Sequence, residues 1–367
     1  MKKHIFSILA LCFVAQMLWA ASVTAPANIP NYYSNINGTS GNSLYGAIHT
    51  TAKKGYSSLT YKGLWSAYKT TDVLPSDNNK IWDMYGGCSF TYSKDQCGSY
   101  KNECDCYNRE HSIPKSWFGS SENQNTPGTD IFHVVPTDGK VNGIRSNYPY
   151  GEVSTASYSY NGNKLGTPKS ISISKTMLGV NAITVAYVGA SNDKVFEPID
   201  EYKGDFARGY FGTLLRWEGD YEEEFTQDFG NRMFSGQHTK DGHWGLTQYG
   251  LALLLKWHRD DPVSQKEIDR NNGIQQTQGN RNPFIDYPYL AEYIWGEHAG
   301  ETVDMSKLMP STDPEFVPGV SNGFRSQATA DNNVTISKPT VTKIIINGQL
   351  FIEVNHELYD IMGQKVK

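Results

Sequence analysis

Three short pieces between residues 108 and 147 bring together side chains that can do chemistry. They are Asn108-Arg109-Glu110-His111, then Asp130-Ile131-Phe132-His133, then Val141-Asn142-Gly143-Ile144-Arg145-Ser146-Asn147. A neutral histidine can take a proton from water. A carboxylate and an amide oxygen suffice for magnesium, which prefers oxygen ligands and keeps several waters. Splitting a phosphodiester needs an activated water, neutralised charge on the phosphate and a stabilised leaving oxygen. Glu110 and Asn142 are therefore candidate metal ligands, and His111 is the candidate base. One geometric condition applies, because neighbours in a regular strand point to opposite faces. Glu110 and His111 can serve one site only where the strand ends, and Pro114 marks such an end.

The elements that must position these residues can be read around them. The apolar run Ile131 to Val135 reads as a buried strand. The polar stretch after it can start a helix, with Thr137 or Asp138 as N-cap. The local order is strand end, long loop, strand, helix. Upstream, Ser43 to Lys54, closed by Gly55, and Tyr61 to Lys69 read as helices. Lys53, Lys54, Lys62 and Lys69 form either a phosphate-facing patch or a solvated helix face. Downstream, Gly151 to Lys169 is rich in Ser, Tyr, Asn and Gly and reads as loop. Strands are expected at 171–173 and 183–188. Helical stripes follow at Asp205 to Trp217 and Trp244 to His258, and Asp261-Pro262 opens a third helix. Gln278 to Pro288 is polar yet lies between apolar helices. It is either a hydrogen-bonded staple or a loop that presents Arg281 to a phosphate.

The chain has 367 residues, a net charge of −5, 19% charged and 13% aromatic residues. That length supports one large domain or two. The negative charge excludes whole-surface attraction to nucleic acid, so any such contact must be local. Lys2 and Lys3 precede an apolar run from Ile5 to Trp19 and then small residues, the pattern of a secretory signal peptide, here residues 1–20. Its removal takes two lysines and no acid, moving the charge from −5 to −7. The run is short for a membrane span.

Cys88, Cys97, Cys104 and Cys106 stay with the exported chain. They read as two disulfides, in which Cys104 and Cys106 each reach back to Cys88 or Cys97. The rival is a four-thiolate zinc site, for which paired C-x-x-C elements are missing. From Ser306 the composition turns to Pro, Gly and polar residues, as in a linker over 306–335. Residues 336–367 alternate like short strands, with Asn347-Gly348 as a hairpin turn. The remaining 21–305 is one catalytic domain.

Asn108 to His111, Asp130 to Pro136 and Val141 to Asn147 resemble the bacterial endonuclease I family. So do Lys203 to Arg208, Trp257-His258 with Asp261-Pro262-Val263, and Gln278 to Asp286. The resemblance covers roughly residues 32 to 300. It implies an α+β protein in which a ββα-metal (His-Me finger) core sits in a mostly helical domain, beside the small C-terminal β unit. It implies a secreted endonuclease, largely sequence-nonspecific, that uses Mg2+ (or Mn2+ or Ca2+) to cut DNA, with RNA as a second substrate. His111 is then the general base, Glu110 and Asn142 hold the metal, and His133 orients the catalytic centre. Arg145, Asn147, Arg208 and Arg281 are the candidates for substrate contact. The ending Glu357 to Lys367 resembles the sorting tails of type IX secretion, which implies the secretion machinery as a partner and a location outside the cell or on its surface; the alternative is an accessory β domain. A monomer is expected. The competing functional reading is an exported surface-binding or adhesion protein, which requires neither Glu-His nor Asn-Gly at these places. A metalloprotease is excluded by the lack of an H-E-x-x-H motif.

Overall fold

The computed structural model describes residues 29–325, apart from 178, 180, 222–223 and 237–244, and the backbone of three strands between 341 and 360. The expected signal peptide lies outside the described residues. Chain contacts divide the protein into two units, meeting between Arg325 and Ser326.

In the larger unit, helices α1 (Gly41–Ala52) and α2 (Gly63–Thr71) come first. Strand β1 (Tyr107–His111) pairs antiparallel with β2 (Val134–Asp138), with Glu110 opposite Val135 and His111 opposite Val134. Helix α3 (Gly139–Arg145) follows β2 without a break, because Asp138 turns the chain and accepts Val141 N–H at 2.8 Å. Next come β3 (Val153–Tyr160), β4 (Asn163–Pro168) and β5 (Val195–Glu197), a three-stranded antiparallel sheet ordered β5-β4-β3. Helices α4 (Lys203–Trp217), α5 (Gln248–Asp260) and α6 (Gln265–Gln278) complete the frame. The fold is α+β.

Helix α4 is the centre of the core. All of its residues except Lys203 and Asp205 are buried, so it is covered on every side rather than along one stripe. Gly209 lets it approach the site: a Cβ there would stand 3.1 Å from Phe132 O. Helix α5 buries Tyr249, Leu253, Leu254 and Trp257 against the same core. Each such side chain contributes about 1.5–3 kcal/mol.

Several expectations change. The third helix is opened by Ser264 in a capping box with Glu267, rather than by Asp261-Pro262. Gly151 to Lys169 is a hairpin, not a loop. Most of β3 faces solvent, so its Ser, Thr and Tyr residues show no apolar alternation to read. The buried strand lies at Val134–Asp138, shifted towards the helix, while Ile131 and Phe132 sit in turns before it. Of the lysine patch, Lys53 pairs with Asp220 and Lys69 donates to Asn78 O, so the patch is a set of local contacts.

The expected linker is the largest correction. Residues 306–325 are folded onto the larger unit. Phe316 is buried with Val263, Ile268 and Ile285, and Leu308 is 1% exposed. Gly319 N–H reaches Val263 O at 2.7 Å, and Ser311 N–H reaches Asp286 O at 2.8 Å. Pro and Gly turns look alike in composition whether they pack or not. In the smaller unit, strands β6 (Val341–Ile346), β7 (Gln349–Val354) and β8 (Glu357–Asp360) form an antiparallel sheet. The first two are the expected hairpin pair; the Asn347-Gly348 turn lies outside the described residues.

A chain ending at residue 305 loses Phe316 and Leu308 from the core. Its urea-unfolding free energy should fall by about 3–5 kcal/mol, as for removal of a large buried side chain. A chain ending at Arg325 keeps these contacts. Equal unfolding midpoints for the two would show that 306–325 contributes nothing.

Candidate active site

The end of β1, the start of α2 and the face of α3 enclose a cleft of about 400 Å³. It is lined by Glu110, His111 and Asn142, with Arg145, Asn147, Tyr61, Arg109 and Lys115 around them. The condition on Glu110 and His111 is met because β1 stops at His111 and the cleft wraps its end. Asn142 and Arg145 are three residues apart on α3 and so share a face. When Arg145 is anchored to β1, Asn142 is brought to the same side.

That anchor is explicit. Arg145 is 1% exposed. Its Nη1 donates to Glu110 Oε1 at 2.7 Å and to His111 O at 2.8 Å, and its Nη2 donates to Ser112 O at 2.5 Å. Tyr85 Oη donates to the same Oε1 at 2.8 Å. Burial pushes the Glu110 carboxyl up to about 7, while Arg145 and Tyr85 pull it down. We take it as ionised, because the guanidinium beside it cannot give up its proton and needs a counter-charge. Both donors sit on Oε1, and among the described residues Oε2 has no partner.

His111 Nε2 lies 3.0 Å from Gly128 O. A carbonyl only accepts, so Nε2 carries the proton and Nδ1, which has no partner among the described residues, is the basic nitrogen. Burial holds the ring well below its ordinary pKa, and His133, Lys115 and Arg109 add to this. The ring is therefore neutral at pH 7. It packs against Tyr61, with centroids 5.8 Å apart and planes at 23°.

The Gly128 carbonyl is held in turn from the core. Asp130 accepts Trp217 Nε1–H at 2.7 Å, Gln278 Nε2–H at 2.9 Å and Phe132 N–H at 2.9 Å. Gln278 Oε1 accepts Ile131 N–H at 3.0 Å. Helices α4 and α6 thus fix the loop that orients the imidazole.

The cysteines approach from the other side. They form Cys88–Cys104 and Cys97–Cys106, one of the pairings left open by the sequence. Cys88 Sγ, Cys104 Sγ and the Asp138 carboxylate lie within 4.8 Å of one another, but the sulfurs are bonded together and no thiolate zinc site forms. Gly139 rests on the second bridge, where a Cβ would meet Cys97 Sγ at 2.4 Å. Both bridges brace the start of α3.

Three of the candidate residues lie outside this cleft, and two in its wall have partners of their own. His133 is 1% exposed behind His111; its Nε2 donates to Pro127 O at 2.8 Å and its Nδ1 accepts Ile113 N–H at 3.4 Å. Burial lowers its pKa to about 4. Both of its nitrogens are engaged on the backbone, where they tie the 127–133 loop to Ile113. Arg208 is fully buried against Glu267, at 2.5 Å, and Arg281 against Asp286, at 2.6 Å. Neither lines the cleft. The Gln278 to Pro288 stretch is the staple, with Tyr33 Oη also donating to Asp286. Arg145 is in the cleft wall but spent on Glu110 and two carbonyls. Asn147 lines the cleft, with its amide turned to Asp228. The sequence reading passed over Tyr61, Arg109 and Lys115 as cleft residues. Arg109 could have been found, since it lies two residues before His111 and so on the same strand face.

Residues 37–289 match the family described as Endonuclease I. An extracellular ribonuclease of Bacillus amyloliquefaciens is 34% identical over 282 residues, covering 75% of this chain and 82% of its own length. An extracellular ribonuclease of Bacillus subtilis (strain 168) is 33% identical over 286 residues, covering 76% and 83%. Endonuclease-1 of Buchnera aphidicola subsp. Baizongia pistaciae (strain Bp) is 24% identical over 228 residues, covering 55% and 75%.

Arg145→Ala leaves Glu110 buried without its counter-ion and should cost about 3–5 kcal/mol in denaturant unfolding. An Arg145→Met, Glu110→Gln double variant removes both charges and should recover part of that loss. A cost below about 1 kcal/mol for Arg145→Ala, as for an exposed pair, would contradict the anchoring role.

Proposed function

Because this chain belongs to the endonuclease I family, we propose that it is an exported, metal-dependent nuclease that cuts DNA and RNA with little sequence selectivity. The observation that carries the reading is the state of His111: a neutral ring, its Nε2 pinned to Gly128 O and its Nδ1 without a partner among the described residues, lining one cleft with Glu110 and Asn142. In this reading β1, β2 and α3 are the ββα-metal unit. RNA is included because two relatives are named extracellular ribonucleases. DNA is included as part of the reading for the endonuclease I family; the Buchnera relative is named Endonuclease-1.

The donor set fits a hard divalent cation. Glu110 Oε2 and the Asn142 amide have no hydrogen-bond partner among the described residues, and both line the cleft. An ionised carboxylate and an amide oxygen are magnesium's preferred ligand types. When bound, the ion supplies charge neutralisation on the phosphate and at the leaving oxygen. His111 Nδ1 accepts the proton of the attacking water. Gly128 O keeps the ring in the tautomer that makes this transfer available. Arg145 keeps Glu110 Oε1 occupied, which leaves Oε2 as the oxygen available to the ion. The compact C-terminal sheet, together with the ending Glu357 to Lys367, supports its reading as a type IX sorting tail.

Point variants separate chemistry from metal binding. His111→Ala should bind metal and nucleic acid nearly as before while cleavage falls by about 10²–10⁴-fold. Glu110→Gln and Asn142→Ala should weaken magnesium binding in calorimetry, with cleavage partly rescued by excess ion through mass action. His133→Ala should lower the unfolding midpoint more than the rate per folded molecule. Plasmid nicking that survives both chelator and His111→Ala would defeat the proposal.

A further inference from the structure

The chain has nine arginines, all among the described residues. Eight are paired with a carboxylate: Arg145, Arg208, Arg216, Arg232, Arg259, Arg270, Arg281 and Arg325. Among the described residues, Arg109 has no such partner. Its guanidinium carbon lies 3.8 Å from the Tyr61 ring centre and 4.5 Å from that of Trp65. Nη1 donates to Tyr61 O at 2.8 Å. Nε is buried without a partner, and among the described residues Nη2 has none either. This half-buried group opens on the cleft that holds Glu110, His111 and Asn142.

A guanidinium clamped by two aromatic rings loses little freedom when it binds, and its planar fork matches phosphate oxygens. In a protein of net charge −5 whose other arginines are all neutralised, such a group is a local anion site. Lys115, the next cation in the cleft, is tied to Glu122. Arg109 and His111 are two residues apart on one face of β1, and both rest on the Tyr61 ring. Two residues of strand span about 7 Å. A phosphate held by Arg109 is therefore displaced along the cleft from the one that receives water activated by His111.

We propose that Arg109, clamped by Tyr61 and Trp65, binds a phosphate of the substrate strand next to the one that is cut. The inference rests on the nuclease reading above. Arg109 makes this contact equally before and during the reaction, so it sets binding rather than the chemical step.

The test compares full-length wild type, Arg109→Gln and Arg109→Lys. Binding of a short single-stranded DNA is measured in chelator over a salt series, and cleavage is measured in magnesium. Arg109→Gln should bind about 10-fold more weakly at low salt, and its salt slope should shrink by about 0.7, the value for one phosphate contact on a single strand. Its KM should rise, with kcat within about twofold of wild type. Arg109→Lys should keep the slope but lose part of the affinity, because it lacks the fork and the stack. Wild-type slope and KM in Arg109→Gln would overturn the proposal. So would a fall in kcat at unchanged KM, which would put Arg109 on the scissile phosphate. Should the glutamine variant unfold, wild-type affinity and KM in Arg109→Lys would overturn it instead. A wild-type chain that neither binds nor cuts defeats the nuclease reading as well; one that cuts while Arg109→Gln matches it defeats only the role of Arg109.

Discussion

The site depends on one buried guanidinium. Arg145 closes the last turn of α3 and spends its donors on Glu110 and on the carbonyls of His111 and Ser112. Burying such a pair gives no free stability, since the loss of hydration is comparable to the attraction regained. What the pair does give is geometry. It ties α3 to the end of β1 and occupies one carboxylate oxygen while leaving the other open. It also holds α3, and Asn142 with it, beside the cleft that Glu110 lines. The two disulfides and Asp138 hold the other end of the same helix, so a seven-residue helix, too short to be stable alone, is fixed at both ends.

The His111 ring is positioned by a separate chain of contacts. Trp217 on α4 and Gln278 on α6 hold Asp130, and the Asp130 turn carries Gly128 O onto His111 Nε2. The helical core thus sets a tautomer. His133 and Gly209 belong to this support: one ties the loop to Ile113, and the other lets α4 come close beneath it. Glu110 is thus held from α3, and the His111 ring from the loop that α4 and α6 support.

That Glu110, His111 and Asn142 line one cleft was legible in the sequence because they are short-range features, carried by a strand end and a capped helix. The cysteine count and position announced the brace, although not its pairing. The arginines were not legible. Whether a guanidinium is spent inside the protein depends on partners far away in the chain, such as Asp72 for Arg270 or Glu267 for Arg208. Arg281 looked available only because its partner, five residues on, also looked like part of a loop. The β3–β4 hairpin was missed because a solvent-facing strand shows no apolar alternation. The 306–325 segment was misread because composition reports turn chemistry and says nothing of what a turn packs against.

The central claim is that Glu110 and Asn142 share one divalent ion in the cleft beside His111. Anomalous scattering from crystals of the full chain grown with manganese tests it directly. The account predicts a single strong peak within bonding distance of Glu110 Oε2 and Asn142 Oδ1, lost in Glu110→Gln crystals. A peak elsewhere with this cleft empty, in protein that still cuts nucleic acid under the same conditions, would contradict it.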